Sequence, residues 1–199
     1  MREQGGFYWP NTDQVGATCI LRHAGMHFPK ALKYVPGRRL AIQAGGNVGV
    51  YPANLAKHFE MVHTFEPDAE NFSCLKRNLE GVRRVIARNT ALGEVAGTAG
   101  MARKIENAGA YRIDGEGDIP VMTLDSLNLA VCDLIWLDVE GYELKVRKGA
   151  DQLIDRCRPV VILEDMARGE KNGEARRHME SKGYREATKL LNDYVMVPC

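Results

Sequence analysis

Arg39-Leu-Ala-Ile-Gln-Ala-Gly-Gly-Asn-Val-Gly-Val-Tyr51, followed at Val62-His-Thr-Phe-Glu-Pro-Asp-Ala-Glu-Asn71, is the stretch whose reading decides the fold. A short apolar run (Leu40, Ala41, Ile42) ends in a glycine-rich turn, a helical pattern follows, and a second apolar run stops at an acid, Glu66. Strand, tight loop, helix and second parallel strand, in that order, build a nucleotide-binding half. Gly45, Gly46 and Gly49 are expected to let backbone N–H groups approach a ligand at a helix start, where the dipole favours negative charge. Glu66 lies 66 − 45 = 21 residues past the first glycine, about where an acid at a strand tip meets a ribose and accepts from its two hydroxyls.

The glycine spacing selects the ligand. A dinucleotide fingerprint requires G-x-G-x-x-G, but Asn47 and Val50 stand where its second and third glycines belong. The pattern Gly45-x-Asn47-x-Gly49, together with Phe65-Glu66-Pro67-Asp68, instead resembles the FkbM family of S-adenosylmethionine-dependent methyltransferases. The resemblance continues at Ala91-Leu92-Gly93, Asn107-Ala-Gly109, Thr123-Leu-Asp-Ser-Leu127, Asp133-Leu-Ile-Trp-Leu-Asp-Val-Glu-Gly141 and Arg158-Pro-Val-Val-Ile-Leu-Glu164, and so covers roughly residues 39 to 199. It implies a Rossmann-like α/β fold, a doubly wound and mostly parallel sheet with an antiparallel C-terminal edge hairpin. It also implies S-adenosylmethionine held by Gln43, Gly45, Gly46, Asn47, Val48, Gly49, Glu66, Pro67, Asn71, Asn89, Ala91 and Asp138. One departure stands out: where the family usually has an acid two residues before the first glycine, this chain has Gln43. An amide there still hydrogen-bonds but gives up a charge contact to the cofactor's amino group.

At 199 residues, 45% hydrophobic and 27% charged, the chain suits one well-packed domain over 39–199, with 1–38 as an extension or lid packed on it. Lysines and arginines number 27 against 26 acids, so the net charge of +1 gives no general reason to hold nucleic acid. Five scattered cysteines without a C-x-x-C pair indicate neither a disulfide framework nor a zinc site, and suit reduced thiols in the cytoplasm. No apolar run approaches the ~20 residues of a membrane span, and the N-terminus lacks a signal-peptide core.

Along the chain, Phe7-Tyr8-Trp9-Pro10 gathers aromatics that must pack on the main body, either as a lid over the cofactor or as a seal on a sheet edge. Residues 17 to 34 read as a helix with His23 and His27 at i, i+4, without a third ligand to complete a metal site. Val48, Leu55 and Phe59 form one face of the next helix, which Pro52 places close to the loop. Asp68 caps a third helix with Phe72, Leu75 and Leu79 as its buried stripe. A strand at Val85-Ile-Ala runs toward Asn89, and the glycine-dense stretch from Gly93 to Pro120 reads as short β pieces on the substrate side. Val131–Leu137 is the most apolar strand and is followed by a helix presenting Val146, Ala150, Leu153 and Ile154. A further strand starts at Pro159, a helix spans about Glu170 to Lys182, and a hairpin turns around Asn192-Asp193.

Methyl transfer is a displacement at a carbon already activated by a sulfonium, so positioning and exclusion of water are the main tasks. For a hydroxyl acceptor a carboxylate can also take the proton. The strand-tip acids are Glu66, Asp138, Glu140, Glu164 and Asp165. Asp138 is expected nearest the transferring methyl, as base or as a support for the cofactor, with Glu140 or Glu164 next. Clustered carboxylates also suit a hard divalent cation between Asp138 and Glu164. The turn Asp138-Val-Glu-Gly141 lacks the Asn/Asp-Pro-Pro-aromatic pattern of amino-methylating nucleic-acid enzymes, and Cys157-Arg-Pro159 reverses the Pro-Cys order that ring methylation of cytosine needs. Oxygen methylation of a small molecule or carbohydrate is therefore the expectation, by a monomer or homodimer. A nucleotide-dependent oxidoreductase and a non-catalytic module that retains S-adenosylmethionine are the alternatives.

Overall fold

The computed structural model of the chain describes residues 1–103, 107, 110–164 and 173–199. Its centre is a seven-stranded sheet of β3 (Leu40–Ala44), β4 (Met61–Phe65), β5 (Val85–Arg88), β11 (Leu134–Leu137), β12 (Val160–Glu164), β13 (Tyr184–Leu190) and β14 (Asp193–Pro198). The spatial order is β13-β14-β12-β11-β3-β4-β5. β3 pairs in parallel with β4 on one side and β11 on the other, so the strand order reverses at the β3–β11 junction. β14 is antiparallel to both of its neighbours and closes that edge as the hairpin expected there, its turn lying at Leu191-Asn192, one residue before the expected centre.

Period-two alternation splits the buried strand residues between two layers. Ile42, Ile135, Leu137, Val161 and Leu163 face α4 (Glu143–Lys148), α5 (Asp151–Cys157) and α6 (Glu174–Ser181) through Val146, Leu153, Ile154 and Met179. Ala41, Val62, Leu134, Trp136 and Ile162 face α1 (Gly16–Ala31) and α2 (Val50–Leu55) through Phe28, Ala31 and Leu55. The N-terminal hairpin, β1 (Arg2–Gln4) and β2 (Phe7–Trp9), buries Trp9 completely against Ala17, Ala24, Val48 and Cys74. Burial of such a side chain is worth about 1.5–3 kcal/mol, which gives the short segment its hold on the body. Asp13 fixes α1 there by accepting from Gly16 N (3.1 Å) and Ala17 N (3.0 Å).

Several elements differ in detail from the sequence pattern. α2 has six residues, because Gly49 is left-handed (φ +96°) and starts the helix at Val50; Val48 and Phe59 are fully buried but lie outside it. Asp68 caps α3 (Ala69–Asn78) as expected, accepting from Glu70 N and Asn71 N; Leu75 and Leu79 are buried as expected, joined by Asn71 and Cys74, whereas Phe72 is only half-buried. The single helix expected after β11 breaks into α4 and α5 at Gly149, where a Cβ would stand 1.9 Å from the Gly93 carbonyl oxygen. Residues 93–120 hold short pieces: β7 (Gly97–Ala99), β8 (Met101–Ala102), β9 (Arg112–Ile113) and β10 (Ile119–Met122), the last pairing with β6 (Ala91–Leu92). Asp165, Ala108-Gly109 and the expected start of the last helix at Glu170 lie outside the described residues.

The strand-order reversal forces two loops together. Gly45 has φ +82°, and a Cβ on it would sit 1.8 Å from the backbone oxygen of Asp138. A left-handed side chain costs about 1–3 kcal/mol before any clash is counted. Gly45→Ala should therefore lower the melting temperature by at least about 5 °C, at ~2–4 °C per kcal/mol for a chain of this size. A thermal scan matching the wild type would show that the two loops do not touch.

Candidate active site

A cleft of about 1230 Å³, its open mouth included, lies beyond the carboxyl ends of β3, β4 and β11, where ligands of open α/β sheets bind. Its floor is the turn Gly45-Gly46-Asn47 with Glu66 and Pro67; Thr90, Ala91 and Leu92 line one end, and Asp138, Val139, Glu140 and Glu164 the other. Helix α1 supplies a wall through Gly16, Cys19, Ile20 and His23, and the β8–β9 hairpin supplies another through Met101, Tyr111 and Ile113.

The glycine turn does not offer its N–H groups to the cleft. Gly45 N and Gly46 N donate to Phe65 O (3.1 and 2.8 Å), Asn47 N to Glu66 Oε2 (2.7 Å), Val48 N to Asn47 Oδ1 (2.8 Å) and Gly49 N to Gly46 O (2.8 Å). Close approach is what the turn contributes, whereas the anion cradle expected from its glycines is spent on the protein itself. Among the described residues the cleft lining carries no lysine or arginine, but four carboxylates: Glu66, Asp138, Glu140 and Glu164.

Glu66 is 5% exposed. Its Oε2 accepts from Asn47 N, its Oε1 from Asp68 N (2.9 Å), and the Asn71 side chain bonds to it as well. A carboxylate has about four acceptor sites, so room for one ligand hydroxyl remains rather than the expected two. Burial pushes its pKa up to about 7 despite those donors. Asp68, beside it, is bridged by Arg103 Nε and Nη2 at 2.8 Å each, which ties the end of β8 to the cap of α3.

At the other end, single carboxylate oxygens of Asp138, Glu140 and Glu164 all lie within 4.8 Å of one another. Burial, then the Glu164 charge, holds Asp138 well above the usual carboxylate range. Asp193 and Glu143 sit behind them, each pushed up to about 7, first by burial; the Glu164 charge adds to both. Tyr51, on the cleft wall, is raised as well by burial and by Asp138, so its hydroxyl stays protonated.

Of the residues expected to hold the cofactor, Gly45, Gly46, Asn47, Glu66, Pro67, Asn71, Ala91 and Asp138 line the cleft, as do Glu140 and Glu164. Gln43, Val48, Gly49 and Asn89 do not. Gln43 is buried, donating through Nε2 to Ala44 O (3.1 Å) and Gly45 O (2.8 Å) and accepting from Thr64 Oγ1 (2.7 Å). Asn89 donates to Glu66 O (2.8 Å) and Pro67 O (3.1 Å) and so fixes the backbone of the ligand-facing acid. Val48 belongs to the core, and Gly49 packs on Leu75 and Leu79. His23 and His27 stack on each other, with ring centroids 5.4 Å apart. The sequence leads one to expect residues 1–38 as an extension or lid, but it does not single out the α1 residues that line the cleft, or Tyr51, because nothing in a helix pattern marks which end of the sheet it borders.

A family model for the FkbM methyltransferase domain matches residues 43–186. Among solved structures, the FkbM methyltransferase of Methylobacillus flagellatus is similar with a TM-score of 0.59 at 20% identity, over 80% of this chain and 43% of that one. The chain thus spans less than half the length of that protein. The precorrin-6y C5,15-methyltransferase of Geobacter metallireducens aligns at TM-score 0.52 and 10% identity, over 99% of this chain and 96% of that one. The magnesium protoporphyrin IX methyltransferase of Synechocystis, solved with bound S-adenosylmethionine, aligns at 0.52 and 10%, over 90% and 81%. These likenesses establish the fold, and none of them speaks for a divalent cation at the acid cluster. No curated protein matches the chain significantly.

The raised carboxyl groups set the pH dependence of stability. A group whose folded pKa exceeds its unfolded value stabilises the fold below the unfolded value, and that contribution is lost as pH rises through the folded one. For Glu66 and Glu143 the window runs from 4.5 to about 7, with a loss on the order of 1–3 kcal/mol for each. Without ligand, the chain should melt several degrees higher at pH 5.5 than at pH 8. A flat profile, or one rising with pH, would show these acids ionised in the fold.

Proposed function

The chain belongs to the FkbM methyltransferase family, and we propose that it moves the methyl group of S-adenosylmethionine onto a hydroxyl of a small molecule or sugar. The observation that carries this reading is the chemical character of the cleft: carboxylates line it, no described lysine or arginine does, and all five N–H groups from Gly45 to Gly49 are already committed. A dinucleotide pyrophosphate would find no uncommitted N–H in the glycine turn and no described lysine or arginine in the lining. A nucleoside carrying a positively charged sulfonium finds an acceptor at one end and negative charge at the other, which argues for methyl transfer over hydride transfer.

When bound, the cofactor supplies a methyl group already activated for displacement. Glu66 would accept a ribose hydroxyl, Pro67, Asn71 and Ala91 would border the nucleoside, and Gly45 and Gly46 would let the backbone come close. Asp138, Glu140 and Glu164 face the reacting end. Of these, we assign Asp138 as the general base; burial and the Glu164 charge raise its pKa well above the usual carboxylate range, which makes it a stronger base than an ordinary carboxylate once ionised. The walls from α1 and the β8–β9 hairpin exclude water from the acceptor. An acid-lined cleft repels phosphate, in keeping with an acceptor that is not nucleic acid. The five cysteines are free thiols and no described helix is long and apolar enough to cross a membrane; we place the chain in the cytoplasm, as a monomer or homodimer.

Calorimetry with S-adenosylmethionine and with NADH tests the cofactor, and incubation of extracts with methyl-labelled cofactor identifies the acceptor. Tight NADH binding without S-adenosylmethionine binding would restore the oxidoreductase, and binding without any methylated product would favour the non-catalytic module. Glu66→Ala should weaken cofactor binding at pH 8 by about tenfold or more, a charged hydrogen bond being worth ~1.5–3 kcal/mol. Unchanged affinity in a folded variant removes Glu66 from the ribose. With an acceptor in hand, Asp138→Asn should slow turnover by roughly 10²–10⁴ while cofactor affinity changes much less. If affinity falls and turnover at saturation survives, Asp138 anchors the cofactor instead.

A further inference from the structure

Glu143 does not face the cleft, yet it governs the turn that does. It opens α4 and is 6% exposed, and its Oε1 accepts from both Val139 N (3.3 Å) and Gly141 N (3.2 Å). Between those two donors Glu140 is left-handed at φ +52°, and Gly141 follows at φ +92°. With Glu140 and Gly141 both left-handed, the turn brings the Val139 and Gly141 N–H groups toward one point, which calls for an acceptor oxygen. Glu143 places one there from four residues away. The same turn presents Asp138 and Glu140 to the cleft, and the Asp138 carbonyl oxygen lies where a Cβ on Gly45 would be. Displacing the turn would therefore shift both acids and the neighbouring glycine loop.

We infer that Glu143 is a positioning residue for the proposed methyl transfer, holding the Asp138–Gly141 turn in its left-handed form so that the reacting end of the cleft is assembled before ligand arrives. The inference rests on that functional reading only for its consequence, since the tie itself is a property of the ligand-free chain. Glu143 stands three residues past the last acid of the Asp138-Val-Glu-Gly141 motif and separates itself from Asp138, Glu140 and Glu164 by its task. Those three address the ligand, whereas Glu143 addresses backbone. A glutamine keeps an oxygen at the same reach, an alanine keeps none, and an aspartate withdraws it by one methylene.

Amide hydrogen exchange and calorimetry on the whole chain test this. In Glu143→Ala the Val139 and Gly141 amides should exchange about tenfold faster or more, and affinity for S-adenosylhomocysteine should fall about tenfold, the scale of one charged hydrogen bond. Glu143→Gln should restore both readouts to within roughly threefold of the wild type, as a neutral bond replaces a charged one. If the alanine variant does not fold, Glu143→Asp takes its place with the same expectation. A side chain that only filled space would leave these two amides in the alanine variant exchanging no faster than their neighbours; that result, or a glutamine variant that fails to restore them, overturns the inference. A wild-type chain that fails to bind S-adenosylhomocysteine overturns the methyl-transfer reading instead, and exchange at the two amides still decides whether Glu143 ties the turn.

Discussion

Two backbones meeting at the strand-order reversal fix everything else in the cleft. β3 and β11 lie side by side with Ala44 opposite Leu137, and Asp138 N donates to Ala44 O at 3.1 Å. The chain leaving β3 must then turn past the chain leaving β11 with no room for a side chain on Gly45. Because Gly45 N and Gly46 N both return to Phe65 O, the same turn is tied to the end of β4. Three strand ends are thereby held in one arrangement, and Glu66, which follows Phe65, has its carboxylate delivered against Asn47 N. The acid that lines the cleft and the glycine turn beside it are parts of one hydrogen-bonded unit.

That unit is built from negative charge, and burial is the larger influence on it. For Glu66, Asp138, Glu143 and Asp193 alike, burial is the first cause of the raised pKa, with neighbouring carboxylates adding to it. Near neutral pH the ligand-free cleft therefore holds protons on acids that sequence reading would treat as ionised. A cationic ligand entering it meets carboxylates that can ionise in response, so binding and proton release are coupled. Such a site would suit a sulfonium, which draws its acids into the ionised form, better than a pyrophosphate, which does not.

The fold was legible because buried parallel strands leave near-continuous apolar runs, and each of the three decisive ones stops at an acid: Glu66, Asp138 and Glu164. Glycines and a cap at Asp68 marked where the helices begin. What the pattern could not carry was direction. Gly45, Gly46 and Gly49 announce a tight turn, but the same composition serves a turn that offers its N–H groups outward and one that spends them inward, as this one does. The helix after β11 read as continuous because Val146, Ala150, Leu153 and Ile154 keep the period through the break, which is caused by a contact with Gly93 more than fifty residues away in sequence. Glu143 passed unnoticed among neighbouring acids because its bonds are to backbone, and backbone partners have no letter in a sequence.

Gln43 shows how a departure from a family pattern is explained once its partners are known. Its Nε2 lies between the carbonyl oxygens of Ala44 and Gly45 while its Oε1 accepts from Thr64 Oγ1. The reverse assignment of the amide would set oxygen against two oxygens, so the geometry itself fixes which atom is which. A glutamate at this position would face the same two carbonyls with no donor to give them, in a place that is 1% exposed, and burying an unpaired charge there would cost several kcal/mol. The amide is thus the residue that this backbone requires: it supplies a donor where the turn presents acceptors. For S-adenosylmethionine bound as proposed, the contact that an acid at this position would make with the cofactor's amino group would come from elsewhere in the cleft. Asp138, whose own backbone oxygen packs on Gly45, and Glu140, two residues further on, are the carboxylates that line the cleft from the neighbouring turn.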